Sequence, residues 1–250
     1  MTLLPQLQAA LTTGQALKII SGITNFDRDR VAQVVRAADQ GGATLVDIAA
    51  DVELVQLARQ LTNLPICVSA IEPEALVAAV AAGADLVEIG NFDPFYAEGR
   101  QFDAVDVLNL THDTRELLPD TMLSVTVPHT LPLDEQVRLA EELVFAGADV
   151  IQTEGGTSSH PHHPGVQGLI EKATPTLAAA HAIAHAVEIP VLCASGLSDV
   201  TVPMAIAAGA SGVGVGSAVN KLDNELAMIA VVRSLRTALA QVAVKAAARA

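Results

Sequence analysis

The amino-acid sequence predicts a single (β/α)8 TIM barrel of the aldolase type that covers residues 1–250. A chain of 250 residues has the typical size of this fold. Eight apolar runs alternate with helical patterns, and eight parallel strands are the number that closes a barrel. A doubly wound open sheet is the alternative, but no glycine-rich dinucleotide-binding turn follows the first strand.

The eight apolar runs have the length of buried strands. The predicted strands are residues 17–23, 44–49, 66–70, 86–90, 122–127, 150–154, 191–195 and 212–216. Apolar residues at helical spacing lie between them. The predicted helices are residues 28–40, 73–82, 133–146, 176–187 and 202–208, followed by an alanine-rich final helix at 220–250.

An internal repeat predicts which residues share a level inside the barrel. A Gly-Ala pair, typical of a helix C-cap, precedes the second, fourth, sixth and eighth strands. Alternate strands of such a barrel contribute to one interior layer. The predicted layer is Asp47, Glu88, Gln152 and Gly214. The next layer, nearer the carboxyl ends, is Ala49, Gly90, Glu154 and Gly216. These polar residues favour a pocket floor over a structural network, because buried carboxylates are costly and barrel enzymes work at this rim.

Lys18 is the basic residue that interrupts an apolar strand. A buried lysine pairs with a carboxylate or loses its proton, and Asp47 and Glu88 are the predicted partners. A neutral Lys18 would act as a base or form a Schiff base, whereas a charged one would bind an anion or stabilise an enolate. A purely structural ion pair is the alternative. The sequence leaves the charge state open.

Other polar residues follow the predicted strands at the rim. Glu154 ends the sixth strand and suits a general acid or base better than the deeper Glu88. His129 follows the fifth strand and is a second candidate for proton transfer, with a surface position as the alternative. Asn91 and Gln152 are predicted to contact substrate. The predicted catalytic residues are Lys18, Glu88, Glu154, Asp47 and His129.

The last two strands each end in a glycine followed by hydroxyl residues. Glycine lets the backbone approach a ligand closely, and free amides at a helix start favour an anion. Two such turns on neighbouring final strands predict the phosphate site of a barrel. The predicted phosphate-binding residues are Gly196, Leu197, Ser198, Gly216 and Ser217. The same turns suit the phosphate of FMN, so a flavin barrel is an alternative.

The connection after the sixth strand, residues 155–173, is too long for an ordinary barrel turn and predicts a lid. Its predicted substrate or lid residues are Thr157, Ser158 and Ser159. Three histidines follow, His160, His162 and His163. Their spacing matches no closed ligand set, so a polar lid is favoured and no metal site is predicted.

Aromatic residues concentrate after the fourth strand. Phe92, Phe95, Tyr96 and Phe102 lie there together with Arg100. This segment either stacks a planar ring or guards the pocket entrance. The alternatives are a small apolar cluster that fixes the loop and a contact with a second copy in a homo-oligomer.

Composition limits the partners and the compartment. A net charge of −14 disfavours nucleic acid and anionic membrane surfaces. No apolar run approaches a membrane span, and no leader sequence is evident. Cys67 and Cys193 lie in apolar strands, which indicates a reducing compartment. The expectation is a soluble protein of the cytoplasm or the plastid stroma that binds a small phosphorylated ligand.

Four segments together resemble one protein family. They are KIISGITNF (18–26), VEIGNFD (87–93), LSVTVPHTLP (123–132) and QTEGGTSS (152–159). Across essentially the whole chain, the sequence is similar to the hypothetical chloroplast reading frame family number twenty-three of cyanobacteria and algal plastids. The resemblance implies a cyanobacterial cytoplasm or plastid stroma and carries over no catalytic residues. A looser likeness to thiazole synthase, the pyridoxal phosphate synthase barrel and amino-sugar phosphate epimerases implies only the phosphate turns.

Three functions are consistent with these observations. The first is a lyase, isomerase or synthase that acts on a small phosphorylated metabolite through lysine and carboxylate acid–base chemistry. The second is an FMN-binding barrel, and the third is a non-catalytic metabolite-binding or regulatory protein. The number of titratable interior residues favours an enzyme.

Overall fold

A computed structural model describes residues 3–155 and 158–247. Its eight strands are all parallel and form a closed barrel, in which β8 also pairs with β1. The strands are β1 (Ala16–Ile20), β2 (Leu45–Ala49), β3 (Ile66–Ala70), β4 (Leu86–Ile89), β5 (Met122–Thr126), β6 (Val150–Gln152), β7 (Val191–Ala194) and β8 (Gly212–Val215). The predicted (β/α)8 barrel is confirmed.

Helices surround the barrel and connect its strands. They are α1 (Leu3–Thr12), α2 (Arg28–Gly41), α3 (Val52–Leu61), α4 (Pro73–Ala81), α5 (Asp93–Ala97), α6 (Ala104–Leu117), α7 (Leu133–Phe145), α8 (Gly165–Ala184), α9 (Val202–Ala207), α10 (Ser217–Asn220) and α11 (Glu225–Ala247). In residues 3–155 and 158–247, none of them combines the length and the apolar character that crossing a membrane requires.

The predicted Gly-Ala repeat forms four equivalent helix ends. The glycines have φ angles of 82°, 114°, 99° and 105°, which glycine adopts without strain. They are Gly42, Gly83, Gly147 and Gly209. The amide of each following alanine donates to the helix carbonyl five residues earlier, at 2.9 to 3.1 Å. This Schellman arrangement ends the helix and starts the next strand at the same level each time.

Helix α1 closes the amino-terminal end of the barrel. Leu7 and Leu11 are buried against an apolar layer formed by the first residues of the strands. That layer is Ala16, Leu45, Cys67, Leu86, Val150 and Leu192. A cleft of about 760 Å³ lies on the outer side of α1, beside the Arg115–Asp149 ion pair. Helix α1 therefore separates the barrel interior from this cleft.

The connection after β6 is shorter than the sequence predicts. The helix expected at 176–187 begins at Gly165, so the loop predicted at 155–173 ends at Pro164. Proline inside a helix normally breaks it because the carbonyl four residues earlier loses its donor. Pro175 is tolerated here because Ser159 Oγ donates to the carbonyl of Glu171 at 3.0 Å.

Two other boundaries differ from the predicted ones. Strand β1 ends at Ile20 rather than at residue 23. The final helix begins at Glu225 rather than at residue 220, because Asn224 Oδ1 accepts the amides of Leu226 and Ala227 and so caps a new helix start. Residues 248–250 of that predicted helix lie outside the described residues.

Candidate active site

Lys18 lies in the centre of the barrel with three polar side chains around its ammonium. Its Nζ donates to Glu88 Oε2 at 2.6 Å and to Gln152 Oε1 at 3.1 Å, and Asp47 Oδ2 is 3.5 Å away. On the neighbouring strand, Gly214 pairs in register with Lys18. Asp47, Glu88 and Gln152, which were predicted to share one layer, are therefore brought together around Lys18. All four side chains are buried.

Both carboxylate oxygens of Glu88 accept hydrogen bonds. Ser124 Oγ donates to Oε2 at 2.8 Å, and Gln152 Nε2 donates to Oε1 at 2.7 Å. Asn91 Nδ2 also donates to Oε1, at 3.1 Å, and lies just past the end of β4 with a φ of 64°. Asparagine tolerates this left-handed conformation better than most residues. Asn91 thus covers the polar layer from the carboxyl end.

The ionisation of this layer follows from burial and mutual attraction. Burial opposes the charge on Lys18, but Asp47 and Glu88 outweigh it and raise the pKa of the ammonium. Burial raises the pKa of Asp47 to about 6, although Lys18 and a 2.7 Å hydrogen bond from Ser69 Oγ oppose the shift. The raised pKa favours the charged form of Lys18, which fits electrostatic stabilisation better than Schiff-base chemistry.

Glu154 lies directly above this layer, where β6 leaves the barrel. Its Oε1 accepts the amide of Asp93 at 3.1 Å, and its Oε2 accepts Tyr96 Oη at 3.2 Å and the amide of His129 at 3.4 Å. Burial and the nearby Asp93 raise the pKa of Glu154 to about 7, against the effect of His129. The predicted rim carboxylate is thus nearly buried and held by three donors.

His129 also lies at this mouth of the barrel. Its Nε2 is 3.1 Å from Asp93 Oδ1. Burial lowers the pKa of the imidazole, but the hydrogen bond to Asp93 and the charge of Glu154 raise it above its usual value. The surface alternative for His129 does not fit, since its side chain is only 10% exposed. Asp93 was not predicted, because its partner lies on a loop 36 residues further along the chain.

The turn after β7 has two consecutive residues in the left-handed region of backbone conformation. Ser195 and Gly196 have φ angles of 77° and 74°. Within the described ranges, the amides of Gly196 and Leu197 donate to no acceptor in the protein. The amide of Ser198 is less suited than predicted, because it donates to Thr201 Oγ1 at 2.9 Å. The remaining candidate donors of this turn are two amides and the Ser198 hydroxyl.

The turn after β8 is fixed to the first strand. A Cβ at Gly216 would lie 3.3 Å from the carbonyl oxygen of Ile20, which leaves little space for a side chain. Asn220 Nδ2 donates to that same carbonyl at 2.8 Å. Ser217 begins α10 immediately after Gly216 and is exposed. The five predicted phosphate-binding residues thus lie at the ends of two adjacent strands.

Two lysines that the sequence analysis did not identify meet near these turns. Lys172 lies on α8, one helical turn before Thr176, whose hydroxyl bonds the carbonyl of Ala194 at the end of β7. Lys221 directly follows α10. Burial and the adjacent Lys221 lower the pKa of Lys172. In the described part of the chain, neither ammonium pairs with a carboxylate. The two residues are 49 positions apart, so no sequence spacing indicates their contact.

The two predicted lid residues that the structure describes, Ser158 and Ser159, are bonded to the loop and to α8. Ser158 Oγ donates to the carbonyl of Gly155 at 2.8 Å, and Thr157 lies outside the described residues. His163 Nδ1 is 2.5 Å from Glu171 Oε1. His160 and His162 are exposed. The structure therefore pairs one of the three histidines with a carboxylate and does not gather all three.

The aromatic residues after β4 form a compact cluster. Phe92 is completely buried and stacks on Phe102, with 4.4 Å between ring centres. The guanidinium of Arg100 lies 4.7 Å above the same Phe102 ring. Tyr96 is the exception, since its hydroxyl reaches Glu154. The cluster thus fixes the loop that carries Asp93. This agrees with the alternative that the aromatic residues form a small apolar cluster.

Comparison with solved structures places the fold among known barrels. Thiamine phosphate pyrophosphorylase from Pyrococcus furiosus has a TM-score of 0.61 at 21% identity, over 93% of this chain and 98% of that one. The enzyme titled GGGPS from Thermoplasma volcanium has a TM-score of 0.64 at 15% identity, over 96% of this chain and 98% of that one. At these identities the likeness shows the fold alone.

Comparison with known sequences gives the family. The family described as "Protein of unknown function (DUF561)" matches residues 3–245. "Uncharacterized protein ycf23" of Pyropia yezoensis is 40% identical over 201 residues, which cover 80% of this chain and 74% of the relative. The ycf23 protein of Cyanophora paradoxa is 47% identical over 188 residues, which cover 73% and 75%. The resemblance to reading frame family number twenty-three is confirmed. The chain therefore belongs to the DUF561 family, together with the ycf23 proteins.

Proposed function

We propose that this protein is an enzyme that acts on a small phosphorylated metabolite at the carboxyl end of the barrel. The observation that carries the proposal is the buried cluster of Lys18, Asp47 and Glu88 beneath Glu154 and His129. A buried ion pair is often no more stable than apolar residues of the same volume, so stability alone does not account for it. Perturbed titratable groups at the carboxyl end of barrel strands are typical of a reaction site.

The phosphate would bind at the turns after β7 and β8. Among the residues that the structure describes, the amides of Gly196 and Leu197 have no acceptor, and Lys172 and Lys221 lie together without an acidic partner. Two adjacent ammonium groups repel each other, and an anion between or beside them relieves the repulsion. Structural neighbours include a 3-hexulose-6-phosphate synthase and a complex with sn-glycerol-1-phosphate, which supports a phosphorylated ligand.

The chemistry would be proton transfer next to a carbonyl, as in a lyase, an isomerase or a synthase. The Lys18 ammonium would stabilise negative charge that develops on the substrate, since Asp47 and Glu88 keep it protonated. Glu154, at the rim, would exchange the proton, with His129 beside it. Asn91 covers the polar layer and would have to contact the substrate or move aside for it to approach Lys18.

The phosphate site is tested by titrating inorganic phosphate into the protein in a calorimeter. Replacing both lysines in a Lys172→Met/Lys221→Met variant is expected to weaken binding tenfold or more, because both cations of the proposed phosphate site are lost. Arg138→Met is the matched control, since this exposed cation on α7 pairs only with acidic residues of its own helix. Absence of saturable phosphate binding, or equal weakening by the control, would contradict the site.

The reaction is tested by proton NMR in deuterated water with a panel of phosphorylated aldehydes and ketones of three to six carbons. Loss of the signal from the proton next to the carbonyl reports its exchange. Glu154→Gln is expected to slow exchange about 100-fold or more, whereas Glu53→Gln, which changes an exposed carboxylate on α3, should leave it unchanged. Exchange that is equal in both variants would remove Glu154 from the proposed chemistry.

A further inference from the structure

Three metal-ligating side chains meet at the mouth of the barrel. Asp93 at the start of α5, His129 after β5 and Glu154 after β6 each offer one ligand atom, and these atoms all lie within 4.8 Å of one another. We propose that Asp93, His129 and Glu154 bind one divalent transition-metal cation.

The distances between the ligand atoms suit a single ion. Ligands at about 2.1 Å from a metal in an octahedral site are about 3.0 Å apart along each edge. His129 Nε2 and Asp93 Oδ1 are 3.1 Å apart, which is close to that edge. Glu154 offers the third ligand atom within 4.8 Å of the other two. Three ligands would form one face of the site and leave the other positions for water or substrate.

The surrounding hydrogen bonds orient Glu154 without using all of its acceptor capacity. A carboxylate has about four lone-pair sites. The amide of Asp93 takes one on Oε1, while Tyr96 Oη and the amide of His129 take those on Oε2. Counting the donors of residues 3–155 and 158–247, one site remains on Oε1. Donors of this kind around a ligand fix its direction, and metal sites depend on them.

The local charge also favours a cation. Two carboxylates, those of Asp93 and Glu154, meet here beside one imidazole. The nearest buried cation, Lys18, lies one layer below and is engaged with Asp47 and Glu88, and Arg100 stacks on Phe102. A divalent ion would balance the two carboxylates. It would also offset the repulsion between this acidic mouth and an anionic substrate.

The donor set indicates the class of metal. One imidazole nitrogen and two carboxylate oxygens without a thiolate suit Mn²⁺, Fe²⁺, Co²⁺ or Zn²⁺ better than Ca²⁺. With the ion bound, Glu154 serves as a ligand rather than as the proton acceptor of the proposed function. Metal binding without substrate is therefore measured separately from proton exchange, and either proposal can fail without the other.

The experiment is equilibrium dialysis of chelator-treated protein against Mn²⁺, with elemental analysis and pulsed EPR. We expect one equivalent of Mn²⁺ per chain and an EPR coupling from a histidine nitrogen. Asp93→Asn and His129→Gln should each weaken binding tenfold or more, and His129→Gln should remove the nitrogen coupling. His163→Gln is the matched control, because His163 and Glu171 form an exposed pair of the same residue types.

Several results would overturn the proposal. They are the absence of stoichiometric binding of Mn²⁺, Co²⁺ or Zn²⁺, binding that survives in Asp93→Asn, and binding that disappears in His163→Gln. Circular dichroism and thermal unfolding of each metal-free variant show whether it folds. Should His129→Gln fail to fold, Asp93→Asn decides the question, because it keeps the size of the side chain and removes only the charge.

Discussion

The buried carboxyl of Asp47 makes the stability of the fold depend on pH. Its pKa lies at about 6 in the folded protein, above the ordinary 3.8, because burial disfavours the charged form more than Lys18 favours it. The folded state therefore holds this proton more tightly than the unfolded state does. The resulting stabilisation is complete below about pH 4 and is lost as the pH rises toward 6.

Asp47→Asn tests this relation, because the amide stays neutral at every pH. The free energy of unfolding of the variant, relative to the unsubstituted protein, is expected to rise by up to about 3 kcal/mol between pH 4 and pH 7. Urea unfolding at several pH values measures it. Ser69→Ala removes a hydrogen bond that favours the ionised Asp47, so it should make the pH dependence steeper. A difference that is constant with pH would contradict the assignment.

The turn that follows β4 depends on a glycine. Gly90 has a φ of 133°, and a Cβ there would lie 2.3 Å from the Cβ of Thr126. Thr126 Oγ1 in turn accepts Gln152 Nε2 at 3.3 Å. The close approach of β4 to β5 at this point thus brings the mouth residues over the polar layer.

Gly90→Ala is expected to lower the free energy of unfolding by about 2 to 4 kcal/mol, since backbone strain and a steric clash add together. Gly99→Ala is the control. Its φ of 83° carries the same kind of strain, but nothing lies within 4 Å of the added carbon, so about 1 kcal/mol is expected. Urea unfolding compares the two. Equal losses of stability in the two variants would show that the contact with Thr126 adds nothing to the effect of backbone strain.

The elements that the sequence predicts well are those whose signals are local. The Gly-Ala helix ends repeat along the chain and set the level of Asp47, Glu88 and Gln152, which the structure brings together. The start of α8 was misplaced because Ser159 satisfies a carbonyl that Pro175 would otherwise leave without a donor. That compensation depends on a loop folding back onto the helix, which no periodicity shows.

The candidate site was only partly predictable for the same reason. The positions of Glu154 and His129 at the rim could be predicted, because both residues lie where an apolar run ends in the sequence. Asp93 and Tyr96 reach Glu154 only because the aromatic cluster folds their loop over the mouth. The contact between Lys172 and Lys221 likewise joins two helices that follow different strands.

At the scale of the whole molecule, the barrel has one continuous interior. Helix α1 closes the amino end, and the strands beneath the polar layer are packed with apolar side chains. Cys67 and Cys193 are both completely buried, and their thiols are free. Burial raises the pKa of Cys193 to about 11 and raises that of Cys67 as well. Neither thiol is a ready nucleophile in the folded protein.

The two thiols are expected to react with an aromatic disulfide reagent in one slow phase, at the rate at which the whole barrel unfolds. Absorbance at neutral pH follows the reaction, and the protein in concentrated guanidinium should show two rapid equivalents. Subdenaturing urea should accelerate both thiols alike. A single fast thiol in the native protein would show that one side of the barrel opens independently of the other.

Because position 214 is a glycine, the strands fill the interior of the barrel unequally at this level. A Cβ at this position would lie 2.9 Å from Ala194 Cβ and 3.3 Å from Gln152 Oε1, so strand β8 contributes almost no volume at this level. Its register partner is Lys18, whose long chain occupies the centre. A side chain at position 214 would press on Ala194, Ile20 and Gln152. Because Gln152 Oε1 accepts the Lys18 ammonium at 3.1 Å, the narrowness of β8 at this level is what lets the partners of Lys18 keep their places.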